Sequence, residues 1–582
     1  MPSAARFAAL LLTVASASAQ MDLQWNLRIP MRDGVRLAAN LFRPSPNGRF
    51  PVLLVRTPYG KGLELTANYR AFVEHGFALV IQDVRGRHDS EGSFRPLDQE
   101  GPDGEDTLNW IGHQSWCDGK IGMFGGSYLG IAQWQAALRN SPYLKAIFPV
   151  VSGYDDYFDR FYSRGGAMKL GHRLLWISEN LSPPGFVRPG LNQFMYYLPL
   201  RTADRAVSGE TVDWYQASLN HPNYDDFWRS FSTRDKLDRI HVPVFIAGGW
   251  FDNYAESDLE AFAALRKLGR SVRILVGPWP HNFSDRLSVD FGPNARNPVR
   301  RFQFQWFDYY LKGQGSIDHI PPAQLFLMGD NRWEDEDDWP PRDSRIRPLY
   351  LAGKGKAATV YGDGQLQWMP QRRKTADTYL YDPGKPVPTR GGAICCNVRL
   401  LPPGPIDQRA IEGRHDILVF TSPPLNEDLH VAGVVHVLLH VSTDAKDTDF
   451  TAKLIDVDPQ GPALGVTDGI LRLRYRNGLD RPELAKPGEI YAITIDAGPT
   501  NWAFRQGHRI RLEVASSNFP RFDRNLNTGR ANAGETQLRK ANQTVWHGGK
   551  YGSAILLPVA ARSGTSAADS RSPVTGLPKS HP

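Results

Sequence analysis

With 582 residues, the chain is too long for one ordinary hydrophobic core, and length alone asks for about two to four domains. A composition of 41% hydrophobic and 22% charged residues excludes a disordered chain. The formal net charge is +7, but some of the cations sit near the ends (Arg6, Arg562, Arg571, Lys579) and no Lys/Arg block or basic helix occurs; this argues against nucleic acid or a membrane surface as partner.

The first residues, "MPSAARFAALLLTVASASAQ", have the three parts of a secretory signal. Arg6 gives a short positive region, Phe7 to Ala15 an apolar run, and Ala17-Ser18-Ala19 a small-residue cleavage site. The expectation is a signal peptide at 1–19 and an exported protein, periplasmic or secreted. No later stretch approaches the roughly 20 apolar residues of a membrane span. Of the three cysteines, Cys395 and Cys396 are adjacent, so either a strained vicinal disulfide or two buried thiols is open, and Cys117 has no evident partner. No Cys/His spacing suggests a metal site.

From Leu23 to Val150, apolar runs alternate with helical patterns. "PVLLV" (51–55), "FALVIQ" (77–82) and "AIFPVV" (146–151) read as buried strands, with helices at Thr66 to His75 and Asp103 to Gln114 between them. Such alternation predicts a mostly parallel sheet covered on both faces. Residues 155 to 237 lack these strands and are rich in aromatics, Arg and Asp; they read as an inserted, mainly helical cap. Strands return at "VPVFIAGG" (242–249) and "VRILVG" (272–277), and the amphipathic stretch Arg300 to Leu311 is expected to close this domain. Beyond Pro348 the runs "VVHVLLHVST", "DFTAKLIDVD", "EIYAITIDA" and "HRIRLEVASS" are β-rich and separated by Gly, Pro and Asp turns, the signature of an all-β sandwich or jelly roll. The Ser/Ala/Pro-rich end from Ala560 reads as disordered. The expected organisation is an α/β domain over 20–154 and 238–345, a cap over 155–237, a β domain over 346–559 and a tail over 560–582.

One turn carries chemistry. "MFGGSYLGIAQWQAAL" (123–138) runs from a strand, Ile121 to Phe124, through Gly125-Gly126-Ser127-Tyr128 into a helix expected to begin near Gly130. A serine hydroxyl needs a fixed, exposed position and a base, and a sharp strand-to-helix turn supplies the position, as in the nucleophile elbow G-x-S-x-G. Here Leu129 stands where that pattern wants glycine, and the second glycine is Gly130; a glycine-rich turn in an inert domain is the alternative. The partners should follow in the order acid, then His, each after a strand. Asp252 follows "VFIAGGWF" and His281 follows "RILVGPWP". Asp258 is the spare acid, read as a solvated helix residue.

These residues together resemble the CocE/NonD-type serine hydrolases, a family that also takes in α-amino-acid ester hydrolases and X-Pro dipeptidyl peptidases. The resemblance covers nearly all of the chain after the signal. It rests on "RTPYGK" (56–61), "QDVRGRHDSEGSF" (82–94), "GGSYLG" (125–130), "GGWFDNY" (248–254), "GPWPH" (277–281), "DTDFTAKLIDVDPQG" (447–461) and "SSNFPRFDRNLNTG" (516–529). The family's elbow has Tyr after Ser and its second glycine one place late, as here. The resemblance implies an α/β-hydrolase domain with a helical cap and a C-terminal jelly roll of galactose-binding type. It implies Ser127 as nucleophile, His281 as base, Asp252 as orienting acid, and an oxyanion hole made by the Tyr128 N–H and the Tyr59 hydroxyl. It implies no metal and no organic cofactor.

The substrate is then a small-molecule ester or amide. Relatives that take α-amino acid esters resemble one another in placing carboxylates two and three positions after the catalytic Asp; here those positions are Tyr254 and Ala255. Phe161, Trp176 and Tyr254 match aromatic pocket positions of cocaine-esterase-like members, which implies a neutral, apolar or aromatic acyl group. Packing within the cap is the alternative reading of Phe161 and Trp176, since aromatics are core residues first. An amide-bond enzyme, X-Pro dipeptidyl peptidase or β-lactam acylase, stays open through Asp155, Asp156 and Asp159. So does a non-catalytic carbohydrate-binding protein.

Overall fold

A computed structural model describes residues 21–284, 287–395 and 397–561. The signal segment, Cys396 and nearly all of the tail lie outside the described residues. Ten strands form the first sheet: β1 (Asp22–Pro30), β2 (Arg36–Arg43), β3 (Phe50–Thr57), β4 (Ala78–Asp83), β5 (Cys117–Gly126), β6 (Leu144–Val150), β7 (Val244–Phe251), β8 (Val272–Pro280), β9 (Ala323–Leu327) and β10 (Arg332–Glu336). Their order is β1-β2-β4-β3-β5-β6-β7-β8-β9-β10. Every pairing from β4 across to β9 is parallel, and the flanks are antiparallel.

The apolar runs become central strands because both faces are covered. Val52 and Leu54 face one core with Leu108, Ile111, Trp134 and Phe262 from the helices Glu100–Gly112, Tyr128–Ala137 and Ala255–Lys267. Leu53 and Val55 face the other, with Phe72, Phe302 and Trp306 from the helices Ala67–Glu74 and Val299–Phe307. All eight residues of β7 are buried.

The helix Val299–Phe307 does not close this sheet, contrary to expectation. β9 and β10 extend it as an antiparallel pair at the edge. β10 is "RWEDE", a short charged strand of the kind that blunts an open edge and that reads as a loop in sequence.

Between β6 and β7 lies the cap, built from short helical pieces that include Asp156–Phe161, Leu170–Asn180 and Asp213–Asn220. It has a core of its own in which Tyr157, Phe161, Tyr162, Trp176, Trp214 and Trp228 pack together with Tyr128 of the sheet domain. The β domain is organised on the long strand Leu429–Thr443, which pairs antiparallel with Tyr491–Phe504, Ala541–His547 and Ala554–Val559. It grips the segment that leads into the helix Leu170–Asn180. Met168 N–H donates to Asp523 Oδ1 (2.7 Å) and Gly171 N–H to Pro520 O (2.8 Å). A Cβ on Gly165 would lie 2.0 Å from Ile470 O, so only glycine lets these backbones meet. Cys117 and Cys395 are both buried.

Candidate active site

The carboxyl ends of β3, β5, β7 and β8 meet on one side of the sheet. Ser127 sits between β5 and the helix Tyr128–Ala137 with φ 57° and ψ −125°, a strained conformation for a non-glycine residue. Its N–H donates to Val150 O (2.9 Å) on the next strand, and its own carbonyl accepts from Gly130 N–H (2.9 Å). The helix thus begins at Tyr128, two residues earlier than expected. The spacing of the glycines has a steric cause. A Cβ on Gly125 would press on Leu129 (2.7 Å), and one on Gly130 would press on Ser152 (2.4 Å). The helix meets β6 at position 130, so the second glycine belongs there, while Leu129 packs over Gly125. Buried Gln133 ties the same turn: its amide donates to Gly125 O and Leu129 O (both 3.1 Å) and accepts from Phe148 N–H (3.0 Å).

Phe251 pairs with Pro280 across β7 and β8, so the residues that follow, Asp252 and His281, leave the sheet side by side. His281 Nδ1 lies 2.6 Å from Asp252 Oδ2. Asp252 is 1% exposed, and its other oxygen accepts from Tyr254 N–H (3.0 Å). The Tyr254 ring centre lies 5.6 Å from that of His281.

Asp258 is not the solvated residue the helix pattern suggests. It is 1% exposed, and its Oδ1 accepts from Gly153 N–H (3.0 Å). Its Oδ2 is buried with no hydrogen-bond partner among the described residues. Burial first, then the nearby Asp252 and Asp159 carboxylates, push its pKa well above the usual carboxylate range. Asp258 is therefore a buried acid, pushed toward its neutral form, behind the Asp252–His281 pair.

Ser127, Tyr59, Tyr128, Phe161, Trp176 and Tyr254, all expected at the site, line one narrow pocket of about 320 Å³. The Tyr59 hydroxyl accepts from the Trp176 indole N–H (3.2 Å). The Tyr128 side chain turns away into the protein and donates to Glu100 Oε1 (2.8 Å). Its N–H belongs to the first turn of the helix, where donors have no intrahelical acceptor. The same pocket is lined by residues that the sequence reading missed: Arg160, His172, Arg173 and Trp214. Trp214 packs edge-on against Phe161 and Trp176, both at 5.8 Å between ring centres. Position 173 stands three residues before Trp176 on one helix, a spacing that puts both on the same face and was the available signal. A larger cavity of about 690 Å³ lies behind Asp252, between cap and β domain, and Ser127 does not line it.

Comparison with known proteins places this geometry. Residues 33–282 match the X-Pro dipeptidyl-peptidase (S15 family) model and residues 315–556 that of the X-Pro dipeptidyl-peptidase C-terminal non-catalytic domain. The chain is 40% identical over 569 residues to cocaine esterase of Rhodococcus sp. strain MB1 Bresler, covering 92% of this chain and 98% of that one. It is 26% identical to a putative serine esterase of Mycobacterium bovis, over 85% of this chain and 90% of the relative. Among solved structures, an α-amino acid ester hydrolase superposes with TM-score 0.81 at 28% identity over 95% of this chain and 98% of its own. An aminopeptidase from a marine sediment Thaumarchaeota archaeon gives 0.80 at 27%, over 94% and 97%. The chain belongs to the S15 family of serine hydrolases, as a cocaine esterase homologue with an α/β-hydrolase domain and a C-terminal all-β domain.

Proposed function

We propose that the protein cleaves carboxylic esters through an acyl-enzyme on Ser127, and that the acyl group rests on aromatic walls and carries no ammonium. The composition of the pocket carries this reading. Phe161, Trp176, Trp214 and Tyr254 face it, and among the described residues no lining side chain is a carboxylate. A free α-ammonium, as in an aminoacyl ester or the N-terminus of a peptide, would be desolvated there without a counter-charge from the described lining residues, which is costly. The cap aspartates that kept an amine-binding reading open are committed elsewhere. Asp155 accepts from Phe158 N–H and from the Ser232 hydroxyl, Asp159 accepts from Tyr154 and Asp155 N–H (2.8 and 2.7 Å), and Asp156 pairs with Arg160.

In this reading Ser127 Oγ attacks the ester carbonyl. Asp252 holds the proton of His281 on Nδ1, which leaves Nε2 to take the serine proton and later return it to the departing alcohol. The oxyanion is held by Tyr128 N–H, at the positive end of its helix, and by the Tyr59 hydroxyl. Because Trp176 donates to the Tyr59 oxygen, the phenol keeps its own proton to donate. Water then cleaves the acyl-enzyme. A panel of p-nitrophenyl esters set against aminoacyl-prolyl amides tests the reading. Turnover of esters with no measurable cleavage of the amides is expected, and faster cleavage of the amides rejects it.

The same proposal includes a jelly-roll topology for the β domain, in keeping with its largely antiparallel pairing, and export directed by residues 1–19. Mass spectrometry of exported protein should find Gln20 or its pyroglutamate first; exported material that still begins at Met1 rejects cleavage there.

A further inference from the structure

The side chain of Tyr128 ends on a buried charged pair. Arg56 is 0% exposed, Glu100 1% and Tyr128 2%. Arg56 Nη1 lies 2.7 Å from Glu100 Oε2 and also donates to the Glu100 carbonyl (2.9 Å), while Arg56 Nε donates to Gln82 Oε1 (2.8 Å). The other Glu100 oxygen, Oε1, accepts from the Tyr128 hydroxyl (2.8 Å) and from Gln99 Nε2 (3.0 Å). Burial, and then the Glu100 charge, raise the Tyr128 pKa well above the usual phenol range, so the hydroxyl keeps the proton it donates. Asp103, the next carboxylate, is held by Arg85 (2.6 and 2.9 Å). A single carboxylate thus holds one guanidinium and one phenol.

The three residues lead to different parts of the site. Arg56 is the next-to-last residue of β3, and Tyr59 follows three positions later, through a turn in which Tyr59 N–H donates to Thr57 Oγ1 (3.0 Å). Glu100 is the first residue of the helix Glu100–Gly112, and Tyr128 the first of the helix Tyr128–Ala137. A Cβ on Gly104 would lie 2.9 Å from Ala136 Cβ and 3.3 Å from Arg56 Nη1, so the arginine is packed where these two helices touch. A buried ion pair is weak evidence for stability, because the cost of desolvating two charges offsets much of their attraction and an apolar pair of similar volume often does as well. What an apolar pair lacks is direction. Hydrogen bonds to a charged carboxylate are short and strong, and each of its oxygens fixes its partner in one place.

We propose that Glu100 is a positioning residue for the oxyanion hole. By holding the Tyr128 hydroxyl on one oxygen and Arg56 on the other, it fixes the span between the Tyr128 N–H and the Tyr59 hydroxyl, the two donors that must meet one oxygen of the substrate. The span matters because preorganised donors act at full strength only where the charge develops, and a misplacement of about 1 Å can cost about 10²-fold in rate. Glu100 does not line the pocket and takes no part in proton transfer; it acts through the two tyrosines. The inference rests on the esterase reading and deepens it, from which groups hold the oxyanion to what sets their separation.

Substituting Glu100 itself would leave Arg56 buried without its counter-charge and threaten the fold, so the test cuts the link at its other end. Tyr128→Phe removes one hydroxyl and keeps the ring and the Arg56–Glu100 pair. With p-nitrophenyl benzoate as substrate, kcat should fall about 10-fold or more while KM stays within about 3-fold. Affinity for phenylboronic acid, whose adduct on Ser127 places an oxygen where the oxyanion forms, should fall in step, and affinity for benzoate should not. In a Tyr59→Phe background there is no span left to set, so the cost of Tyr128→Phe should shrink to about 3-fold or less. A kcat within about 3-fold of wild type in the single variant overturns the proposal, as do losses that simply multiply in the double variant. Boronic acid affinity left unchanged beside a lowered melting temperature makes the link structural and overturns it too. In each of these cases the esterase reading stands. A near-normal kcat in Tyr59→Phe alone removes the oxyanion role of Tyr59 and this inference with it, and a wild-type enzyme that turns over no ester overturns the esterase reading itself.

Discussion

On the sheet side of the pocket every functional group leaves the end of a strand; on the cap side none does. Ser127 follows β5, Asp252 follows β7, His281 follows β8 and Tyr59 lies two residues beyond β3. Their positions are fixed by backbone hydrogen bonds, such as Ser127 N–H to Val150 O and Asp252 N–H to Gly249 O (both 2.9 Å). Phe161, Arg173, Trp176 and Trp214 come instead from three separate short helical pieces. They are placed by ring against ring and guanidinium against ring. In the proposed reaction, backbone fixes the groups whose geometry cannot vary, while side-chain packing shapes the surface that would choose the substrate. The cap wall is then retunable one residue at a time, and the sheet wall is not.

Removing the proposed nucleophile should show the rigid wall at its most demanding. Ser127→Ala should lower kcat by about 10⁶-fold, the scale seen when a triad serine is deleted, and should abolish labelling by a fluorophosphonate while circular dichroism stays unchanged. Full labelling of the variant would place the nucleophile elsewhere. Asp252→Asn should cost about 10⁴-fold in kcat by favouring the wrong His281 tautomer. Activity near wild type would move the orienting role to another acid. Tyr59 is the most exposed member of this wall, 41% exposed against 1% for Asp252. Tyr59→Phe removes one hydroxyl and should lower kcat by about 10²–10³-fold with little change in KM, the value of one oxyanion donor. A near-normal kcat with a lowered melting temperature would make Tyr59 a structural partner of Trp176 instead.

The same division governs what was legible in the sequence. Parallel strands buried on both faces are continuous apolar runs, so β3, β4, β6, β7 and β8 stood out, and the acid and histidine could be found as the residues that follow two of them. The offset glycine at 130 was visible, but its cause, the Cβ of Ser152, is a contact between distant segments. β10 was lost because an edge strand is protected by the charges that make it look like a loop. Within "AESDLEAFAALRK" nothing local separates Asp258 from Glu256 and Glu260, yet only Asp258 turns into the protein behind Asp252. The cap has no long helix whose periodicity marks an inner face. Arg160, Arg173 and Trp214 could therefore be read as readily for solvent or core as for the pocket, and only the fold brings them beside Ser127.

Asp258 offers the finest test of how rigid the sheet wall is, because its effect should appear in stability before it appears in rate. Its carboxyl is buried, accepts one backbone N–H from Gly153, and has its pKa raised well above the usual carboxylate range by burial and by Asp252. In the unfolded chain an aspartate titrates near about 3.9. A group whose folded pKa is the higher one contributes stability that is fully present below the unfolded value and is lost as the pH rises through the folded value. From about pH 4 upward, then, the wild-type protein pays for a proton that the unfolded chain has already released. Asp258→Asn keeps an oxygen to accept from Gly153 and can neither gain nor lose a charge. The variant should gain stability over wild type as the pH climbs from about 5 to about 8. Urea unfolding of both proteins at several pH values in that range isolates the effect, since Asp155, Asp159 and the other buried groups titrate alike in each. Parallel pH dependences would mean that Asp258 is ionised in the folded protein, and that the region behind Asp252 tolerates two adjacent negative charges that its burial argues against.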